Sequence, residues 1–494
     1  MSLLHKLAGQ TAIYGLSSIV GRLLNFLLVP LYTGIFAPEE YGTFSELMAV
    51  VAFAMVVLTY GFETSFFHFA NKKDSAEQAL STGFISLVGT SLLFLTLSFV
   101  YTQPIANLLH VSNQPQFVQW LTCIIVLDVL STLPFAKLRL QEKAWRFASI
   151  RLINIVVNIG LNLFFFLLCP YLLSEGLSVP FINSTYDPSI GIGYIFISNL
   201  IASGVMLALL FPEIFKIKRS FNLFLWKKMA RYGFPLLVGG LAFVTNEMVD
   251  RLLLEHLLPA DIATAEVGVY SACYKISIFM TLFVQAFRYG AEPFFFAQAE
   301  KKDAKIQYAK VMRYFIAFTG FIFLSINVFI DLIKHFIQNE AYHAGLKVVP
   351  ILLLANLFLG MYYNLSVWYK VSGKTRFGAY ISVFGAVITI LLNIILIPSM
   401  SYLGSAWATF VCYLSMCILS FILSRRHYPI DYPWKYIFTY LISALFLFYI
   451  WLQWHDDYFV VSSLLCILYL FGVLILEKRK KISTLNDKIK TSES

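Results

Sequence analysis

The sequence predicts an all-α polytopic membrane protein, on the evidence of its composition and the length of its apolar runs. Of the 494 residues, 59% are hydrophobic and only 13% are charged, and the mean hydropathy is +0.74. A soluble protein would need far more polar surface to cover such a chain. Many apolar runs reach the roughly 20 residues that a spanning helix requires, and helices satisfy their own backbone groups inside a bilayer.

Fourteen apolar runs, bounded by polar residues, Pro or Gly, are the predicted spans. They lie near residues 11–36, 42–67, 79–101, 117–137, 147–169, 191–213, 232–256, 266–291, 310–336, 346–370, 377–398, 403–424, 434–453 and 458–476. Lys and Arg concentrate in the connections after even-numbered spans. The positive-inside rule therefore places both termini in the cytoplasm. No signal peptide is predicted, and no connection is long enough for a catalytic domain, so we expect no enzyme.

The first twelve spans contain an internal repeat. Arg22-Leu23-Leu24 in span one has a counterpart in Arg251-Leu252-Leu253 of span seven, and Glu40-Tyr41-Gly42 has one in Glu266-Val267-Gly268. Two six-helix lobes in the same orientation imply a pseudo-twofold axis along the membrane normal. The predicted divisions are an N-terminal lobe over 1–215, a cytoplasmic linker over 216–231, a C-terminal lobe over 232–424, two additional transmembrane helices over 425–476 and a basic tail over 477–494.

Ionisable residues inside the predicted spans are the candidate functional groups. A charge at the bilayer centre costs about 2.5–3.5 kcal/mol on insertion scales, so it should face protein or a water-filled cavity. The cations are Arg22, Arg251, Lys275 and Arg288, and the carboxylates are Glu63, Asp128, Glu247 and Asp250. The cations suit an anionic substrate. The carboxylates are candidates for coupling to an ion or for ion pairs with those cations.

The spacing of these groups leaves two interpretations open on each helix. Glu247, Asp250 and Arg251 share one face of span seven, either as an internal ion pair or as a substrate contact. Arg22 either pairs with Asp128 or Glu63, or reaches a substrate. Span eight carries a polar stripe about 20 Å long, which we expect to line a cavity rather than to pack against another helix. The residues of the stripe are Tyr274, Ser277, Thr281, Gln285 and Arg288.

Neither a metal site nor a cofactor is expected from the spacing of metal-binding residues. The six cysteines include no CxxC motif, and the eight histidines lie at span ends or in connections. The formal charge of +10 arises from Lys and Arg between the apolar runs, which is a pattern of membrane topology and not of nucleic-acid binding.

Small, aromatic and charged residues follow one another in a particular order across the two halves, at Gly42, Gly268, Asp250, Arg251, Tyr270, Tyr274, Pro235, Pro293, Gly193 and Gly404. This order resembles that of the polysaccharide-biosynthesis flippases, O-antigen (Wzx-type) flippases among them. These belong to the multidrug/oligosaccharidyl-lipid/polysaccharide exporter superfamily, and the resemblance covers essentially the whole chain. No single motif is specific, but their order is.

The resemblance implies a MATE-like, V-shaped fold of two lobes that works by alternating access. It implies transport of undecaprenyl-pyrophosphate-linked oligosaccharide across the bacterial inner membrane, with membrane lipids, H⁺ or Na⁺ and a polysaccharide assembly machinery as expected partners. The alternative is a cation-coupled multidrug antiporter of the same superfamily. The excess of cations among the intramembrane charges favours the flippase.

Reporter fusions test the predicted topology. Fusions after Lys73, Arg219, Arg376 and Lys481 should report from the cytoplasm, and fusions after Glu40, Ser184 and Asp457 from the periplasm, because Lys and Arg mark the cytoplasmic connections. A reversed result at any two adjacent sites would mean that one predicted span does not cross the membrane, and the predicted repeat would then be wrong.

Overall fold

The computed structural model describes residues 19–70, 73–176, 186–453 and 458–492, and no strand occurs in these ranges. Residues 177–185 of the outer connection, the start of span one and the pair Asp456-Asp457 lie outside them. The first half of the described chain forms seven long helices. They are α1 Ile19–Ile35, α2 Pro38–Phe69, α3 Ser75–Val100, α4 Gln116–Leu140, α5 Ala144–Ser174, α6 Gly193–Ile214 and α7 Leu223–Leu257.

Seven further helices follow, so that each of the fourteen predicted spans has its helix. They are α8 Ala263–Gln298, α9 Ala304–Val328, α10 Glu340–Val371, α11 Arg376–Met400, α12 Tyr402–His427, α13 Trp434–Gln453 and α14 Phe459–Arg479. Among the described residues, twelve of these helices are long and apolar enough to cross a membrane. The other two are α1, which is shorter, and α7, which carries the ionisable residues singled out above. The prediction of an all-α membrane protein is confirmed.

Helix α7 begins earlier than its apolar run. Asn222 caps it, because its side-chain oxygen accepts a hydrogen bond of 3.0 Å from the backbone N–H of Leu225, as asparagine commonly does at this position. The first turns carry Lys227, Lys228 and Arg231 and are therefore too polar for a hydropathy search to include. The start of this helix consequently lies within the predicted linker.

The helices group into two compact units. The first contains Met1–Lys275, Ile337–Gly345 and Arg376–Ala408, and the second contains Ile276–Phe336, Leu346–Thr375 and Thr409–Ser494. In the first unit α7 packs against α11 and α2, and α6 packs against α4 and α5. In the second unit α9 packs against α10, α13 and α14. The predicted division into two lobes at 215 and 232 stays a prediction.

Glycines allow close backbone contact between α2 and the beginning of α8. A Cβ atom at Gly42 would clash with the carbonyl oxygen of Thr264, and one at Gly268 would clash with the carbonyl oxygen of Pro38. The contact is reciprocal, since the backbone nitrogen of each glycine lies beside the position of the other's Cβ. The two glycines of the repeat therefore pack against each other, as residues related by a pseudo-twofold axis would.

A second close contact joins the other end of α2 to α7. Helix α2 is interrupted at Gly61, whose φ of +73° lies in the left-handed region that favours glycine. A Cβ at Gly61 would lie 2.9 Å from the carbonyl oxygen of Gly233, and one at Gly233 would lie 2.7 Å from that of Tyr60. Contacts of this kind need small residues, as in other membrane helix pairs.

The last two helices are held on α9 by polar contacts inside the second unit. Glu477 accepts from Arg313 at 2.8 Å and from the Tyr440 hydroxyl at 2.6 Å. The Tyr469 hydroxyl donates to the carbonyl oxygen of Ala317 at 3.0 Å. It also lies next to Gly320, where an added Cβ would overlap the hydroxyl. The two additional helices are thus packed onto the body of their unit.

The glycine contact between α2 and α8 can be tested by substitution. Gly42→Ala should lower the unfolding temperature of the purified protein in detergent, because the added Cβ meets a carbonyl group that belongs to another helix. Gly89→Ala is the matched control, since nothing lies within 4 Å of its Cβ position in α3. Gly89→Ala gains helix propensity, about 0.5–1 kcal/mol, and should therefore leave the unfolding temperature equal or higher. An unfolding temperature unchanged by Gly42→Ala would contradict the contact.

Candidate functional site

An ion pair on α7 lies at the centre of the predicted site. The Arg251 guanidinium donates from Nη1 to Asp250 Oδ1 at 2.7 Å and to the Glu247 carbonyl oxygen at 2.8 Å. The other carboxylate oxygen of Asp250 accepts from the Tyr270 hydroxyl at 2.6 Å. Asp250 is 3% exposed and Arg251 is 6% exposed. The internal ion pair that the spacing left open is present in the structure, and it is extended by a tyrosine.

Aromatic rings enclose the arginine of this pair. Its guanidinium carbon lies 4.7 Å from the ring centre of Tyr274 and 5.6 Å from that of Tyr270, distances at which a cation is attracted to the ring face. Tyr41 of α2 is also buried, and its hydroxyl interacts electrostatically with Arg251. Because Nη1 and the face of the guanidinium are engaged and the side chain is buried, Arg251 would contact a substrate only after rearrangement.

Lys275 lies where α8 changes its geometry. The α-helix from Ala263 ends at Tyr274, a 3₁₀ turn covers Lys275–Ser277, and a second α-helix runs from Ile278 to Gln298. Such a turn inside a helix alters the register of the side chains and often marks a functional position. Lys275 is exposed. It interacts electrostatically with Arg251.

The polar stripe of span eight is therefore divided and not continuous. Ser277 is fully buried and receives a long hydrogen bond of 3.5 Å from the Asn356 side chain. Thr281 donates to the carbonyl oxygen of Ile278 at 2.9 Å. Tyr274, before the turn, and Gln285, after it, are half-buried. Since the 3₁₀ turn separates them, the simple repeat of three and four residues does not describe this stretch.

Arg22 is an exposed side chain on α1. Of the two carboxylates considered as its partners, Glu63 pairs with Arg139. Asp128 accepts a hydrogen bond of 2.8 Å from Ser203 and interacts electrostatically with Arg151. Both carboxylates are thus engaged by other residues of the first half, and the interpretation in which Arg22 reaches a substrate keeps its physical basis.

Arg288 belongs to a separate cluster in the second unit. Glu292 Oε1 accepts from Arg288 at 3.1 Å and from Lys370 at 2.6 Å, and the guanidinium lies 5.1 Å from the ring centre of Tyr363. The spacing of four between Arg288 and Glu292 on one helix was a usable signal in the sequence. The contact of Lys370 with Glu292 could not be predicted in this way, because Lys370 belongs to another helix.

A third group of ionisable side chains was not foreseen. The structure brings His110 within 4.8 Å of Glu46 and Glu255, measured between the atoms that each could offer to a metal. Sequence spacing did not indicate a ligand cluster among the histidines. It could not do so, because the three residues belong to three distant segments and meet only by helix packing.

The buried ion pair predicts a large effect of one substitution. Asp250→Asn should reduce the free energy of unfolding, measured by denaturation in mixed micelles, by about 3–5 kcal/mol, because it leaves the buried Arg251 charge without its partner. Asp331→Asn is the control, since it breaks a half-exposed pair with Lys334 that should contribute about 1 kcal/mol or less.

A double substitution separates pairing from packing. Asp250→Asn combined with Arg251→Gln should lose less stability than the two single changes added together, because the second change removes the charge that the first leaves unpaired. Additive losses would mean that the two side chains act independently.

Comparisons with known proteins agree on one fold. The model of the family described as polysaccharide biosynthesis protein matches residues 7–291, and the MatE model matches residues 235–395. The structure of the lipid II flippase MurJ in an inward closed conformation is similar with a TM-score of 0.75 at 15% identity, covering 94% of this chain and 99% of that one.

Multidrug transporters share this fold with lower similarity. An inward-facing MATE family transporter of the MOP superfamily has a TM-score of 0.65 at 12% identity, over 82% of this chain and 94% of its own. A mutant of the Vibrio cholerae MATE transporter VcmN has a TM-score of 0.58 at 15% identity, over 85% and 96%. No curated protein matches the sequence significantly.

At these identities the solved structures show the fold alone, and the family rests on the sequence match. That match extends over more than half of the 494 residues. It includes α7 with its buried ion pair and most of α8. The chain therefore belongs to the family described as polysaccharide biosynthesis protein.

Proposed function

We propose that the protein is a flippase that moves undecaprenyl-pyrophosphate-linked oligosaccharide from the cytoplasmic to the periplasmic leaflet during polysaccharide biosynthesis. The observation that carries this proposal is a pair of cations, Arg22 on α1 and Lys275 in the 3₁₀ turn of α8, whose side chains are exposed inside two of the predicted spans. The family description supports a role in polysaccharide assembly. The similarity to a lipid II flippase supports a lipid-linked substrate.

Exposed intramembrane cations suit a pyrophosphate lipid for a physical reason. Moving the anion through hydrocarbon is prohibitive unless other groups replace its water, and Arg does so with a planar fork of donors while Lys acts as a point charge. Each cation would face water in the empty path, which lowers its cost of insertion. The membrane potential helps as well, since about 2.3 kcal/mol per charge per 100 mV favours an anion leaving a negative interior.

The side chains proposed to bind the headgroup differ in whether an existing ion pair must break before they can do so. Arg22 and Lys275 are exposed, whereas Arg288 is shared with Glu292 and Arg251 with Asp250. We propose that the first two make the initial contact and that Arg251 holds Tyr274 in position beside Lys275. Gln285 is proposed to contact the sugar.

The intramembrane carboxylates are proposed as coupling or pairing groups. Asp250 has the buried geometry of a pairing group, and Glu63 is paired with Arg139. Asp128 accepts from a neutral serine, so among these groups it is the better candidate to exchange H⁺ or Na⁺. Glu247 supplies a backbone carbonyl to Arg251. We propose an inner-membrane location with both termini in the cytoplasm.

A cation-coupled multidrug antiporter is the second candidate function. Its support is the match of the MatE model to residues 235–395 and the fold shared with multidrug transporters. Such a protein needs carboxylates that can hold a cationic substrate. Here Asp250 is neutralised by Arg251, which leaves less negative charge for that purpose.

Binding of a lipid pyrophosphate by purified protein tests the flippase. Arg22→Gln and Lys275→Gln should each weaken binding about tenfold or more, since hydrogen bonds to charged groups contribute about 1.5–3 kcal/mol. The double variant should lose less than the sum if both side chains touch one headgroup. Arg22→Lys should lose less than Arg22→Gln, although a bidentate contact would still suffer.

The control is Lys374→Gln, which removes an exposed cation from the connection between α10 and α11 and should leave binding unchanged. A cationic dye is measured in parallel. If the double Gln variant keeps its affinity for the lipid, or if the dye binds more tightly than the anionic lipid, the antiporter becomes the better explanation.

A further inference from the structure

Two carboxylates and an imidazole meet at the predicted periplasmic end of the first unit. Glu46 lies in α2, Glu255 lies near the end of α7, and His110 lies in the connection between α3 and α4. One potential ligand atom from each lies within 4.8 Å of the others, and His110 Nδ1 is 3.8 Å from Glu255 Oε1. Neither the family resemblance nor the proposed transport cycle uses these residues.

The two carboxylates are buried and incompletely satisfied. Glu46 is 1% exposed and Glu255 is 6% exposed. Within the described part of the chain, Oε1 of Glu46 and Oε2 of Glu255 have no hydrogen-bond partner. The other oxygen of Glu255 accepts from the Thr264 hydroxyl at 2.6 Å. Buried carboxylate oxygens without partners are costly, and two carboxylates this close repel each other unless a proton or a cation lies between them.

The chemistry of the donors indicates which cation would fit. Carboxylate oxygens alone would suit Ca²⁺ or Mg²⁺, which take six or more oxygen ligands. A nitrogen from His110 beside two carboxylates is instead a set typical of Zn²⁺ and related transition metals, which bind three protein ligands and a water. His110 is half exposed, so it provides both a route of entry and a side from which water could complete the coordination.

We propose that Glu46, His110 and Glu255 bind a divalent transition-metal ion of the Zn²⁺ type. Ligands of a tetrahedral zinc ion lie about 3.4 Å apart when the bonds are about 2.0–2.1 Å long. The three donor atoms lie within 4.8 Å of one another, so they would move together when the ion binds. The ring of His256 lies 5.3 Å from that of His110, edge to face. It packs against the ligand ring, while its Nδ1 faces the carbonyl oxygen of Leu252 at 2.8 Å.

A bound ion would tie together three segments that are distant in sequence. Within the first unit it would join α2, α7 and the connection between α3 and α4. Metal binding would thereby stabilise the folded chain. This inference does not depend on the identity of the transported substrate.

The test is Zn²⁺ binding by the full-length protein with affinity tags removed, measured by calorimetry and by competition with a zinc-sensitive dye. The wild type should bind one Zn²⁺ per chain. Co²⁺ in its place should give the visible absorption of a four- or five-coordinate site, which reports geometry independently of affinity. Glu46→Gln, Glu255→Gln and His110→Gln should each weaken binding by about tenfold or more, since even outer-shell changes have effects of that size.

Glu39→Gln is the matched control, because it changes an exposed carboxylate of the same helix and should leave zinc binding intact. Both buried Gln variants keep the shape of the side chain and remove a buried charge, so they should fold. Size-exclusion profiles verify this. Lack of stoichiometric Zn²⁺ binding by the wild type, or equal affinity in all three ligand variants and the control, would overturn the proposal and indicate that the two carboxylates share a proton.

Discussion

A charge inside a membrane protein must be matched by a partner or by water, and the site around α7 depends on this constraint. Asp250 uses both carboxylate oxygens, one for Arg251 and one for the Tyr270 hydroxyl. Arg251 in turn reaches the Glu247 carbonyl oxygen and the ring of Tyr274. These contacts connect α7 with the beginning of α8. The orientation of that helix segment, and with it the position of Lys275, therefore follows from a charge on another helix.

The same constraint separates two kinds of intramembrane charge. Some are compensated locally, as in the pair of Glu63 with Arg139 and the pair of Asp250 with Arg251. Others, such as Arg22 and Lys275, are exposed. Compensated charges stabilise one arrangement of helices, whereas exposed cations remain available to an anion. This distinction is the physical basis for placing the proposed headgroup contacts on the second kind.

Helix contacts through glycine explain how the repeat in the sequence becomes a feature of the fold. Gly42 and Gly268 occupy corresponding places in the two halves, and each excludes a side chain because the other helix's backbone lies there. Lipid offers no hydrophobic drive for helices to associate, so close approach through small residues provides much of the attraction. The carboxylates of Glu46 and Glu255 are brought together by the packing of α2 against α7.

Composition and the lengths of the apolar runs were enough to determine the fold class and the fourteen helices, because the bilayer dictates the length and polarity of every span. The polar start of α7 was not predicted, because hydropathy cannot detect the part of a helix that extends beyond the membrane. The spacing of Glu247, Asp250 and Arg251 on one face of α7 gave an internal ion pair as one of two interpretations. Only the tertiary structure decided that Tyr270 completes that pair, that Glu63 meets Arg139, that a 3₁₀ turn interrupts α8 at Lys275, and that His110 lies beside two glutamates. These features depend on how separate helices pack, and the sequence of one helix carries no record of which side chain of another will face it.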